Sequence, residues 1–206
     1  PGFIDTHSHH DFKLLDMPEA LGAVSQGITT VVVGKDGSSQ FPLKTFFDTL
    51  NTKPVAINIA SYVGHNTLRH QVMQEDHKRP ATDAEIDTMK QLLRQEMASG
   101  ALGLSSGLEY DPGIYSEPSE VLALAQESAN LGGRYSSHIR SEDRHFWEAI
   151  EEIIQLGQAT GMPVQISHLK LAMKSSLGQT KRLLDRLYQA RESGIEITAD
   201  VYPYVY

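Results

Sequence analysis

The chain has 206 residues, enough for one substantial core, and no stretch reads as a linker between domains. Eighteen basic residues against 26 acidic ones give a formal charge of -8, which argues against a nucleic-acid or anionic-membrane surface, and no apolar run approaches the ~20 residues of a membrane span. Cysteine is absent, so disulfides and thiolate zinc sites are excluded, and any metal held by this chain must sit on histidine and carboxylate.

The chain opens on PGFIDTHSHHDF, where Pro1 and Gly2 run directly into an apolar strand, FIDTHSH at 3–9. Strand side chains alternate faces, so His7 and His9 share one side and can bind one ion, while His10 falls on the other as a solvated or helix-facing residue. Asp5 lies on the face of His9 but lower, where it could orient a ligand. The next strand, TTVVVG at 29–34, leads into GKDG; Asp36 there is a ligand candidate, although Asp-Gly is also a common turn pair. VAINIASYVG at 55–64 ends at His65, placed either to stabilise an oxyanion or to act as a core histidine bonded to a loop carbonyl.

Residues 83–98 place Ile86, Met89, Leu92, Leu93 and Met97 at helical steps, with a Thr82/Glu85 capping box before them and Gly100 after them. ALGLSSGLEY at 101–110 carries Glu109 at its end. RYSSHI at 134–139 ends on His138, with Arg140 two residues on. A helix over 145–157 follows, with Trp147, Ile150, Ile153 and Ile154 on one face. PVQISHL at 163–169 ends on His168, with Lys170 two residues on. A further helix over 181–193 uses Leu183, Leu184, Leu187 and Ala190. The last strand, IEITADVY at 195–202, ends near Asp200, Tyr202 and Tyr204. His70, His77 and His145 fall in loop or helix segments and are read as ordinary surface or packing residues.

Strand starts recur at close to the ~30-residue period of a βα unit, and several strands are apolar on both faces, which argues for a parallel α/β sheet. An open doubly wound sheet and a closed barrel both fit. No strand is followed by G-x-G-x-x-G and there is no P-loop, which favours a (β/α)8 TIM barrel. All strand ends then gather on one rim. Four histidines converging there, His7, His9, His138 and His168, favour a metal over buried structural imidazoles, each of which would need partners for both ring nitrogens. For Arg140 and Lys170 the alternatives are recognition of a carboxylate or ion pairs with Glu142, Asp143 or Asp200.

PGFIDTHSH, GITTVVVG, VGHNTLR, GLSSGLEYDPG, SSHIR, QISHLK and ADVYPY together resemble the amidohydrolase superfamily, and within it the N-acyl-D-amino-acid deacylases. The resemblance covers the whole chain. It implies a (β/α)8 barrel of the metal-dependent hydrolase type with a small flanking β-domain, of which 1–206 would be a partial catalytic barrel, strands one to seven. It also implies one or two Zn²⁺ ions on His7, His9, His138 and His168, and contact of Arg140, Lys170 and Tyr202 or Tyr204 with a substrate carboxylate. The implied reaction is hydrolysis of an N-acyl-D-amino acid, or of a dipeptide with a C-terminal D-residue, by a zinc-activated hydroxide.

Two departures stand out. Well-known members carry a cysteine where this chain has Asp36, and hydantoinases and dihydroorotases use a carboxylated lysine on strand four, where this chain ends in Glu109. Glu109 is therefore expected to be the bridging or primary anionic ligand, with Asp36 second, because a carboxylate offers two anionic oxygens. The family's strand-eight aspartate would lie past Tyr206; 1–206 alone is expected to be inactive and to leave its barrel open. Competing readings are a cyclic-amide hydrolase and a barrel homologue without catalysis. The start carries no signal-peptide pattern, although a segment ahead of Pro1 could hold one, with the cytoplasm as the default location. The expected partner is a small-molecule substrate rather than nucleic acid or membrane.

Overall fold

A computed structural model describes residues 1–202 of the chain. The β-branched run at 28–33 and its counterparts form short strands, and every pair of neighbouring strands is parallel. They are β1 (Phe3–Asp5), β2 (Ile28–Val33), β3 (Asn58–Ser61), β4 (Val63–Gly64), β5 (Gly103–Gly107), β6 (Arg134–His138), β7 (Val164–Ile166) and β8 (Ile197–Ala199). β1-β2-β3 make one ladder and β4-β5-β6-β7-β8 a second.

β3 and β4 together occupy the single run expected at 55–64, which changes partner at Tyr62. Below that residue it pairs with β2, and above it with β5. Backbone bonds from Tyr62 N to Val33 O (3.0 Å) and from Leu102 N to Ser61 O (2.9 Å) carry the sheet across the break. The seven expected strand positions are therefore present. Closure into a barrel is not seen among the described residues, where β1 and β8 each pair on one side.

Helices cover the outer face. α1 (Leu21–Val24) is one turn; α2 (Leu43–Thr52), α3 (His65–Met73), α4 (Asp83–Ala98), α5 (Pro118–Asn130), α6 (Phe146–Thr160) and α7 (Thr180–Glu192) are longer. α4 starts where the capping box demands: Thr82 accepts from the Glu85 amide at 3.3 Å while the Glu85 carboxylate accepts from the Thr82 amide at 2.7 Å. α5 begins on a proline, whose missing N–H costs nothing at a first turn, and α6 stops at Gly161, in the left-handed conformation that glycine adopts freely.

The apolar faces of α2–α7 pack on β4–β8 around Leu68, Met89, Leu93, Leu104, Leu124, Ile150 and Ile166, all fully buried. A smaller cluster of Leu14, Ala20, Ala23, Val31, Val33 and Ile57 sits under α1. Among the described residues no helix is long and apolar enough to cross a membrane.

Candidate metal centre

The site is built on the C-terminal ends of the strands, and its centre is the turn after β2. Gly34 (φ 70°), Asp36 (φ 53°) and Gly37 (φ 80°) all lie in the left-handed region, which a short polar residue tolerates and glycine accepts without strain. The turn is held from three sides. Gly37 N–H donates to Ser105 Oγ (3.2 Å), Thr67 N–H donates to Gly37 O (3.1 Å), and Ser105 Oγ donates to Gly34 O (2.5 Å). The packing leaves no room for side chains: a Cβ on Gly107 would stand 2.2 Å from Asp36 O, and one on Gly37 would stand 2.6 Å from Gly107 N.

This turn aims the Asp36 carboxylate at a ring of imidazoles. Its Oδ2 lies 3.0 Å from His7 Nε2, 3.3 Å from His9 Nε2 and 3.5 Å from His168 Nε2. Its Oδ1 is buried without a hydrogen-bond partner. His138 closes the ring from the end of β6, with its Nδ1 3.0 Å from His168 Nε2 and 2.7 Å from the Tyr110 hydroxyl. Donor atoms of His7, His9 and Asp36 lie within 4.8 Å of one another, as do those of Asp36, His138 and His168, so two three-donor groups share one carboxylate. A third group, Glu109, His138 and Glu142, adjoins them.

The far nitrogens of two of these histidines are held by acids. His7 Nδ1 meets Asp200 at 3.1 Å, and His168 Nδ1 meets Glu142 at 2.6 Å. Burial alone would lower the pKa of His168, but its bonds to Asp36 and Glu142 outweigh that and raise it to about 9; His7 is raised in the same way by Asp200 and Asp36. Burial opposes ionisation of Asp36 too, yet His168, His7 and His9 hold it far below the usual carboxylate range. For His138 burial prevails and the pKa falls. The centre is thus an ionised carboxylate facing His7 and His168, both of which it makes readier to hold protons. A divalent cation can replace those protons, and the nitrogen and oxygen donors with an orphaned carboxylate oxygen suit zinc or a similar ion.

The expected ligands divide by position. His7 and His9 lie past the end of β1 rather than within it, yet both reach Asp36, while His10 turns its Nδ1 to Ser8 Oγ (2.5 Å) at the edge of the cleft. Asp5 accepts the backbone N–H of His7 at 3.1 Å, while the ring nitrogens of His7 meet Asp200 and Asp36. The expected order of the two carboxylates is reversed. Asp36 occupies the centre, because the left-handed turn points it inward, and Glu109 meets the outer nitrogen of His138 at 3.0 Å.

The oxyanion role expected of His65 is corrected and the core alternative holds, with a carboxylate as partner in place of a loop carbonyl. His65 opens α3 instead of ending a strand, is fully buried, and bonds Glu120 at 2.8 Å within a buried ion pair between Arg69 and Glu120 (2.6 Å); it does not border the cleft. Arg140 is corrected as well. β6 ends at His138, so strand alternation does not extend to residue 140, and Arg140 grips Glu152 through two bonds (2.9 and 2.8 Å) and donates to Ser116 O. It borders a separate hollow of about 1210 Å³ on the outer face between α6 and α7, which His7, His9, His138 and His168 do not border.

Lys170 and Tyr202 do line the cleft, which holds about 780 Å³. Lys170 is paired with Glu142, and its Nζ stands 5.2 Å from the centre of the Tyr202 ring. Tyr204 lies outside the described residues. Sequence reasoning passed over Tyr110 and saw Glu142 only as an ion-pair partner. Their one signal was position, each next to or two residues beyond a rim residue in GLEY and SHIRSE.

A profile of the amidohydrolase family matches residues 1–203. D-aminoacylase of Alcaligenes xylosoxydans xylosoxydans is 36% identical over 228 aligned residues, covering 100% of this chain and 47% of the relative. The N-acyl-D-glutamate deacylase of Bordetella bronchiseptica, solved with zinc and a phosphonate mimic of the reaction's tetrahedral intermediate, superposes with a TM-score of 0.95 at 34% identity over 99% of this chain and 48% of that one. A D-aminoacylase structure described with a binuclear metal centre gives a TM-score of 0.93 at 35% identity, covering 100% and 48%. The chain spans about half the length of the curated relatives it matches.

Proposed function

Because this chain belongs to the amidohydrolase family, we propose that it carries the metal centre and part of the substrate cleft of a zinc-dependent hydrolase acting on the amide bond of N-acyl-D-amino acids. The observation that carries the reading is the single oxygen of Asp36 within 3.5 Å of three imidazole nitrogens from two different strand ends. The named activities of the similar proteins support the substrate class.

His7, His9 and Asp36 would hold one ion, and Asp36, His138 and His168 a second, with Asp36 shared. A divalent cation bound there supplies Lewis-acid activation of water and of the scissile carbonyl. Three further roles fall to groups of this chain. The Tyr110 hydroxyl, 2.7 Å from His138 and on the cleft wall, is placed to donate to a developing oxyanion, the role expected earlier of His65. Burial and the acids around Tyr110 push its pKa above the ordinary tyrosine value, so it stays a donor at neutral pH. Lys170 is the cation placed to meet the substrate's α-carboxylate, with the Tyr202 ring beside it. Glu142 holds both Lys170 and His168, so the binding of carboxylate and the pose of a metal ligand share one residue.

The test is metal content of the full chain together with hydrolysis of N-acetyl-D-amino acids, N-acetyl-L-amino acids and hydantoins. Bound zinc and turnover of the D-compounds are expected. A folded, active protein free of metal would overturn the mechanism, and preference for L-compounds or hydantoins would overturn the substrate class.

A further inference from the structure

Among the described residues β1 and β8 are edge strands with no ladder between them. The rim is nonetheless continuous at that seam, because Asp200, one residue past β8, reaches His7, two residues past β1. The Asp200 Oδ1 atom lies 3.1 Å from His7 Nδ1 and accepts the backbone N–H of His168 at 2.6 Å. Its Oδ2 lies 3.2 Å from the same His7 nitrogen and accepts the Gln165 side-chain amide at 2.5 Å. One carboxylate therefore binds groups from β7 and from the loops after β1 and β7, and it does so one step behind the metal centre.

Two consequences follow from the chemistry of these contacts. An ionised carboxylate only accepts, and His7 lies between two of them, so when a cation takes the lone pair of Nε2 on the Asp36 side the ring proton stays on Nδ1, where Asp200 accepts it. The bond to the His168 amide also fixes a backbone that is itself unusual, since His168 sits at φ 37°, in the left-handed region that a non-glycine residue enters only when its surroundings hold it there. His7 belongs to one three-donor group and His168 to the other.

We infer that Asp200 is a positioning residue of the metal centre, presenting Nε2 of His7 as a ligand and setting the spacing between the two half-sites that share Asp36. The inference rests on the reading of this rim as a divalent-cation site.

The experiment compares wild type with Asp200→Ala and Asp200→Asn in the full chain. Zinc affinity is measured by competition with a chromophoric chelator, the visible spectrum of the cobalt-substituted protein reports ligand geometry, and the melting temperature of the metal-free protein reports structure alone. Zinc binding weaker by ~10–100-fold in Asp200→Ala, an intermediate loss in Asp200→Asn and an altered cobalt spectrum in both are expected. Wild-type affinity and an unchanged spectrum in both variants would overturn the inference. So would weaker binding that merely tracks a lower metal-free melting temperature with the cobalt spectrum intact. Wild type that takes up no zinc would instead overturn the metal reading, and this inference with it.

Discussion

Nε2 of His7 and Oδ2 of Asp36 stand 3.0 Å apart although the residues are 29 positions apart in the chain, and this contact joins the first strand end to the second. Replacing Asp36 by Ala removes the anion shared by both donor groups and leaves the imidazoles facing one another. Zinc affinity should fall by ~10²-fold or more, beyond the effect of losing an outer-shell partner. Asp36→Asn, which keeps the shape and loses the charge, should fall in between. Chelator competition reads both, and retention of wild-type affinity in Asp36→Ala would remove Asp36 from the ligand set.

Metal binding and metal-free stability should depend on pH in opposite directions. The His168 pKa is raised to about 9 by bonds to Asp36 and Glu142 that outweigh burial, and its Nε2 must lose the proton to take a cation. Below pH 9 that competition lowers log affinity by about one per pH unit, or roughly 10²-fold at pH 7. In the metal-free protein a raised folded pKa means stabilisation that is fully present below the ordinary value of 6.5 and lost as pH rises through 9, on the order of 3 kcal/mol. Melting of chelator-treated wild type and His168→Gln from pH 6 to 10 tests this. The gap between them should close as pH rises; a gap that widens refutes the assignment.

His65→Ala should cost stability and leave metal binding alone. The substitution empties a fully buried site and strips Glu120 of one of its two partners, for a loss of about 2–4 kcal/mol. Urea unfolding gives the stability and zinc titration the affinity. A large fall in kcat with wild-type stability would restore the oxyanion role.

Arg140 and Lys170 should separate in the same manner. Arg140→Gln breaks the paired contact to Glu152 on α6 and should lower stability by about 1–3 kcal/mol with KM little changed. Lys170→Ala should raise KM for an N-acyl-amino acid by ~10-fold or more, as expected when a cation facing a substrate carboxylate is lost. Steady-state kinetics on both variants decides; a KM effect confined to Arg140→Gln would reverse the assignment.

Asp11 is buried with neither carboxylate oxygen partnered, and burial raises its pKa to about 6. A buried acid without a partner destabilises its ionised form, unlike the paired acids of the rim. Asp11→Asn should therefore stabilise the protein at pH 7 by up to roughly 3 kcal/mol, with the gain shrinking as pH falls through 6 and gone below the ordinary value of 3.8. A gain that persists at pH 4 would point to another cause.

Period and punctuation made the strands and the helix at 83–98 legible, because alternation, a capping box and a following glycine are local signals. The four histidines were legible because strand ends of a parallel sheet share a rim. Three things were not. The rank of Asp36 over Glu109 depends on a left-handed turn whose aim comes from backbone packing. The fates of His65 and Arg140 depend on where α3 begins and β6 ends, and a shift of one or two residues there reverses a side chain. Asp200 and Glu142 act through contacts between residues 193 and 26 positions apart, beyond the reach of spacing rules.

The glycines of the central turn give this chain an unusual map of vulnerability. Gly34, Gly37 and Gly107 donate nothing to a cation, yet at each of them one added methyl group would collide with main-chain atoms of a neighbouring segment at 2.2–2.6 Å. Main chain cannot swing aside as a side chain can, so the strain passes to the segments that carry Asp36, His65 and Glu109. In an unbiased screen for loss of function, alanine at these three positions should therefore score alongside loss of a histidine ligand, and the damage would be invisible to any survey restricted to residues within bonding distance of the ion.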